Sequence, residues 1–177
     1  MSMNQLSPTS EAALFIDFEN IRYSFLNYYG QEPDPQILIA KARQYGVVPV
    51  AYAYADFSRH SEMFERKLLA AGIERKDCPA KESPDGRQQS TVDLNMVMDI
   101  IDTALDRPQI DTFILMTGDR DFVRISAKLK HRFGKRVVIS GVPGTISRDL
   151  IESATIDDPI VLEPDQHQGL ATIHQRL

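Results

Sequence analysis

The segment FILMTGDRDF at residues 113–122 ends an apolar run in Thr117, Gly118, Asp119, Arg120 and Asp121. One aspartate at such a place caps the next helix or closes a turn. A second needs another purpose. Asp17 closes a further apolar run, ALFI at 13–16, and Glu19 and Asn20 follow it within three residues in DFEN. Asp93 lies in STVDLNMVMD at 90–99. On a helix from Ser90 at 100° per residue, Asn95, Asp99, Asp102 and Asp106 form one solvated face, and Asp99 reads as a surface acid. Asp93 lies roughly opposite, with Val97, Ile100 and Ala104. A capping box from Ser90 to Asp93 accounts for an acid in that turn without excluding metal binding.

An ionised carboxylate turned toward a sheet is costly unless something pairs with it. Several gathered in one cleft either rise in pKa or are neutralised by a cation. Oxygen ligands without His or Cys select Mg²⁺ or Mn²⁺. One or two such ions can activate a water and stabilise the oxygens of a phosphodiester under in-line attack. One of Asp119 and Asp121 is expected to cap the following helix, and the other to point across the strand ends towards Asp17. His60 and His131 fall on expected helices and read as surface residues.

The elements that must position these groups alternate. Ala12 to Ile16 reads as a buried strand. After a loop with Gly30, Pro33 and Pro35, residues 36–45 read as a helix stopped by Gly46. A strand over 47–57, a helix over 60–71 and a strand over 73–78 follow. PAKESPDGRQQ at 79–89 is rich in turn formers and reads as a mobile loop. Then come a helix over 90–105, a strand over 112–117, a helix over 121–133, a strand over 136–140 and a short helix over 147–153. A last strand or edge segment is expected at 160–162. This is an α/β pattern: a central, mostly parallel sheet of about five to six strands with helices on both faces. In such sheets functional groups gather at the carboxyl ends of the strands, where the strand order reverses. The expected organisation is a flexible segment at 1–11, one domain at 12–162 and a polar, poorly ordered tail at 163–177.

The chain has 177 residues, 42% apolar and 25% charged, which places it among ordinary globular domains. Its single cysteine, Cys78, excludes an internal disulfide framework and a Cys-based zinc site. The polar start MSMNQLSPTSE lacks the apolar core of a signal peptide, and the run Val47–Ala55 is too short to span a bilayer. A cytoplasmic protein without membrane contact is expected. Net charge is −5, yet Arg120, Arg124, Lys128, Lys130, Arg132, Lys135 and Arg136 crowd seventeen positions against the single acid Asp121. Such a stripe is either a solvated helix face or a footprint for phosphates. Beginning at Arg120 and Arg124, it would hold a substrate backbone.

FIDFEN at 15–20, STVDLNMVMD at 90–99, TGDRDF at 117–122 and GKRVVISG at 134–141, in this order, resemble the NYN domain family, PIN-like nucleases of the LabA-like type. The resemblance covers roughly residues 12–156. It implies a three-layer, Rossmann-like (PIN-like) fold and a ribonuclease whose acids hold Mg²⁺ or Mn²⁺. The family's first-strand Asp and Asn fall on Asp17 and Asn20, its middle-helix acids on Asp93 and Asp99, and its S/T-G-D-x-D-F acids on Asp119 and Asp121. Thr117 matches a small hydroxyl position. The family usually has lysine-glycine-valine before the middle Asp, whereas Ser90, Thr91 and Val92 stand here. A substrate contact from that lysine is therefore missing or supplied by Arg87.

The leading expectation is a metal-dependent ribonuclease acting on RNA, mainly single-stranded, and a homodimer is also allowed. Asp17, Asp93, Asp119 and Asp121 are its metal ligands, and Asn20 orients substrate or water. Thr117, Arg120 and Arg124 join Asn20 in substrate contact. The alternative is a non-catalytic RNA-binding or regulatory module of the same fold. A haloacid dehalogenase-like phosphatase ranks last, because that pattern needs a second Asp where Glu19 stands.

Overall fold

A computed structural model describes residues 10–166. β1 (Glu11–Asp17) is buried almost throughout, which is why it reads as a continuous apolar run rather than an alternating one. α1 (Phe18–Tyr29) follows directly, capped by the Asp17 carboxylate and stopped by Gly30 in the left-handed region. No element is expected there from the sequence, although Phe18, Ile21 and Phe25 form a buried helical stripe. α2 (Pro35–Arg43), β2 (Val47–Ala55), a 3₁₀ turn (Phe57–Arg59), α3 (Glu62–Ala70) and β3 (Glu74–Asp77) come next. The stretch expected as a mobile loop is a hairpin of β4 (Lys81–Glu82) and β5 (Gln88–Gln89), closed through Gly86 at positive φ. α4 (Val92–Asp106), β6 (Thr112–Met116), a 3₁₀ turn (Arg120–Phe122) and α5 (Val123–His131) lead to β7 (Arg136–Ile139), α6 (Arg148–Ser153), β8 (Ile156–Asp157) and a 3₁₀ turn (Pro164–Gln166).

The main sheet is six-stranded and parallel, in the order β3-β2-β1-β6-β7-β8. Its last strand is β8 rather than residues 160–162. Ile160 and Leu162 are buried instead, and the Ile160 carbonyl accepts the Tyr29 hydroxyl. Two apolar clusters cover the faces. Leu14 and Ile16 point into one, with α1, α2 and α3; Ala13 and Phe15 point into the other, with α4, α5 and α6. The result is the three-layer α/β arrangement of a PIN-like fold. Ser10 and Glu11, expected in a flexible segment, pair with the start of β2; residues 1–9 and 167–177 lie outside the described residues. Among the described residues no helix is long and apolar enough to cross a membrane.

Strand order reverses between β1 and β6, because the chain builds outward from β1 and then returns through α4 to its other side. Their register pairs Ile16 with Met116. Asp17 and Thr117 therefore emerge side by side at the carboxyl edge.

Candidate metal centre

Asp17 is fixed from two directions. Its Oδ2 accepts the Thr117 hydroxyl at 3.1 Å and its Oδ1 accepts the Asn20 backbone N–H at 3.4 Å. Thr117, fully buried, also accepts the Asp119 N–H at 3.1 Å, so one hydroxyl positions two acid-bearing segments. The Asn20 side-chain oxygen accepts the Gly118 N–H at 3.0 Å and ties the first turn of α1 to the turn after β6. Gly118 has no room for a side chain: an added Cβ would overlap the Thr145 carbonyl of the 141–147 loop. Thr117, expected to touch substrate, is thus enclosed and orients the carboxylates instead.

One carboxylate oxygen from each of Asp17, Asp93 and Asp119 lies within 4.8 Å of the others. Ligand oxygens at about 2.0–2.6 Å from an ion are separated by at most ~4–5 Å, so these three residues fit a hard divalent cation. None of them joins an ion pair among the described residues. Burial and the neighbouring charges both act on the titration of these groups. Burial, then the charges of Asp93 and Asp119, outweigh the hydrogen bonds from Thr117 and Asn20 and push the Asp17 carboxyl from 3.8 up to about 7. Asp93 is raised too, first by burial and then by Asp119 and Asp121.

The division of labour in the TGDRDF turn differs from expectation. Asp119 caps the turn, its Oδ1 accepting the Asp121 N–H at 2.9 Å, and it is also the carboxylate that joins Asp17. A carboxylate has two oxygens with about four acceptor sites, so capping leaves one oxygen free. Asp121, expected as a fourth ligand, is exposed and outside the group of three, acting on it through its charge. The capping box is not formed, since α4 is capped at Thr91 without a side-chain bond.

Three further residues stand apart from their expected roles. Asp99 accepts the Tyr54 hydroxyl at 2.7 Å and is not a free surface acid. The His60 side chain is 7% exposed, packed against Phe18, Phe57 and Phe64 with Nε2 3.3 Å from Glu19 Oε1. His131 is exposed as expected. The basic stripe divides. Lys130 and Lys135 donate to backbone carbonyls, and Arg136 lies over the Tyr45 ring. Arg120, Arg124, Lys128 and Arg132 are exposed, make no ion pair among the described residues, and recur every fourth residue from the acid turn.

The parallel α/β sheet with an acidic group at its switch point is the three-layer arrangement of a PIN-like fold. The NYN domain family model matches residues 11–162, and the chain belongs to that family. Its fold is similar to a crystal structure of VPA0982, a protein of unknown function from Vibrio parahaemolyticus RIMD 2210633. The two share 28% identity, covering 91% of this chain and 97% of that one, with a TM-score of 0.78. No curated protein matches the chain significantly.

Proposed function

We propose that the protein is a ribonuclease that hydrolyses phosphodiester bonds in RNA with Mg²⁺ or Mn²⁺ held by Asp17, Asp93 and Asp119. The observation that carries this reading is the convergence of three uncompensated carboxylates at the strand-order switch of a NYN domain. A divalent cation bound there supplies a nucleophilic water and neutralises charge on the phosphoryl oxygens. The remaining work belongs to the chain. Thr117 and the Asn20 N–H hold Asp17 in one orientation. The Asn20 side chain positions the Gly118–Asp119 segment. Asp121 adds negative charge at the exposed rim and strengthens cation binding there. Arg120, Arg124 and Lys128 offer the phosphate backbone of a single strand a line of cations leading to the acids.

The test is incubation of the purified protein with single-stranded RNA and Mn²⁺ or Mg²⁺. Cleavage should stop with EDTA and with Asp119→Asn. Cleavage that survives both would sink the mechanism, and RNA binding without turnover under any divalent metal would favour the non-catalytic module.

A further inference from the structure

α4 and α5 lie on the same face of the sheet, α4 on β1 and β2 and α5 on β7, with α6 beyond α5. Both begin at the acids and run away from them. Asp93 stands in the first turn of α4, and Asp119 caps the turn that leads into α5. Hydrogen bonds show which flank of each helix faces the other. Lys130 donates to the Ala154 carbonyl just after α6, so its flank of α5 looks away from α4. At 100° per residue Lys128 and Arg132 lie about 160° from Lys130, and Arg124 about 120°, which puts these cations on the flank nearer α4. On α4, Asp99 accepts the Tyr54 hydroxyl from β2, so the Asp99 flank looks away from α5.

Charge and apolarity are segregated along this pair. Asn95, Asp102 and Asp106 fall within ~60° of Asp99, on the far flank of α4. Apart from Asp93 at the metal centre, the rest of its outer surface carries no charge: Leu94 is 65% exposed, Met98 52% and Leu105 62%, and Val97 and Ile101 are half-buried toward α5. Beside this strip Arg124, Lys128 and Arg132 are exposed and make no ion pair among the described residues. They recur every four residues, or about 6 Å of helix axis. The apolar strip alone would suit any apolar partner. The free cations next to it require an anionic one.

A nucleic-acid strand with unpaired bases has the same two sides, a charged backbone and base faces that prefer an apolar surface. A duplex turns those faces inward and leaves an apolar strip with nothing to cover it. We propose that single-stranded RNA lies lengthwise along α4 and α5, with its phosphates on Arg124, Lys128 and Arg132 and its bases over Leu94, Met98 and Ile101. This rests on the ribonuclease reading and adds to it the selection of unpaired bases. The two banks act differently. Contacts to α5 release counterions and weaken with salt, by a slope of about 0.7 per phosphate on a single strand. Contacts to α4 remove apolar surface from water and are nearly indifferent to salt. The far-flank acids Asp99, Asp102 and Asp106 stay clear of the backbone, and Asp93 meets it only where the cation is held.

The measurement is binding to the full chain in EDTA, where no divalent ion supports cleavage, of an oligouridylate of roughly 12 nucleotides, within the usual range for single-strand grooves. The same strand paired with its complement, and an abasic strand of equal length, should each bind at least tenfold more weakly. Leu94→Ser combined with Met98→Ser should weaken the oligouridylate at least fivefold with an unchanged salt slope, and should leave the abasic strand unaffected. Thermal unfolding should not move, since both side chains are exposed. Arg124→Ala combined with Lys128→Ala should weaken both strands and lower the slope. A strand carrying 4-thiouridine should crosslink to α4. Equal binding of the abasic strand, indifference to the serine pair, or crosslinks confined to the β4–β5 hairpin would each overturn the proposal and leave the ribonuclease reading standing. So would sedimentation showing a dimer that the serine pair breaks, which would assign the strip to a second copy. Failure of the native chain to bind RNA, with or without Mn²⁺, would remove the ribonuclease reading and this proposal with it.

Discussion

Replacing Asp17 by asparagine should strengthen the metal-free protein at neutral pH while abolishing its response to divalent cations. The folded chain raises this carboxyl from 3.8 to about 7, so the folded state holds the proton more tightly than the unfolded one. The sign follows from linkage. The group's contribution to stability is fully present below pH ~4, declines between ~4 and ~7, and is gone above ~7. At ~1.4 kcal/mol per pH unit, the 3.2 units between those values set a ceiling of about 4 kcal/mol on what the ionised carboxylate removes. Asparagine carries no charge at any pH, but it keeps one acceptor oxygen where Asp17 uses two, Oδ2 for the Thr117 hydroxyl and Oδ1 for the Asn20 N–H, so one of these bonds is lost at a cost of about 1 kcal/mol. Urea denaturation in EDTA at pH 8 should therefore find Asp17→Asn more stable than the native chain, by up to about 3 kcal/mol; at pH 4.5 the gap should close. Mn²⁺ at a hundred times its dissociation constant should stabilise the native chain by about 2.7 kcal/mol and the variant far less. A variant less stable than the native chain at pH 8 in EDTA, or equal Mn²⁺ stabilisation of both, would refute the reasoning.

Thr117→Ala should lower Mn²⁺ affinity about 10–100-fold by calorimetry, whereas Thr117→Ser, which keeps the bridging hydroxyl, should restore most of it. Gly118→Ala should destabilise the fold by about 1–3 kcal/mol in thermal melts, because its methyl meets the backbone of the 141–147 loop. Arg124→Ala combined with Lys128→Ala should weaken RNA binding across sequences and reduce the salt slope by about 1.4, leaving Mn²⁺ affinity unchanged. An unchanged slope would remove α5 from the proposed RNA path. Tyr54→Phe should cost about 1–3 kcal/mol of stability by leaving Asp99 without its hydroxyl partner, measured by urea denaturation.

The alternation of strands and helices was legible from apolar runs and helical spacing, and so was the parallel sheet. The stripe of Phe18, Ile21 and Phe25 that marks α1 begins inside the polar DFEN segment and is only three large side chains long, so it does not stand out as a helix. The hairpin at 81–89 carries turn residues and almost no apolar ones, so its pairing leaves no periodic trace. β8 is two residues long, too short for any pattern, while Ile160 and Leu162 look like a strand because they are buried. His60, expected on a helix, lies between the 3₁₀ turn and α3, and its polar neighbours give no sign of the three rings that enclose it.

Residue type and order by themselves determined that several acids end up at strand and helix termini, that the ligand chemistry is oxygen without His or Cys, and that a cationic run follows one of those acids. Only the tertiary structure decided which acids meet. Parallel register places Asp17 beside Thr117, and the close approach at Gly118 draws Asp119 inward, while α4 brings Asp93 to the same point. Asp121, two residues from Asp119 and identical to it in type, faces outward. The difference lies in the cap geometry of one short turn. Which carboxylates converge is a three-dimensional fact set by packing between residues about a hundred positions apart, and local sequence carries no record of it.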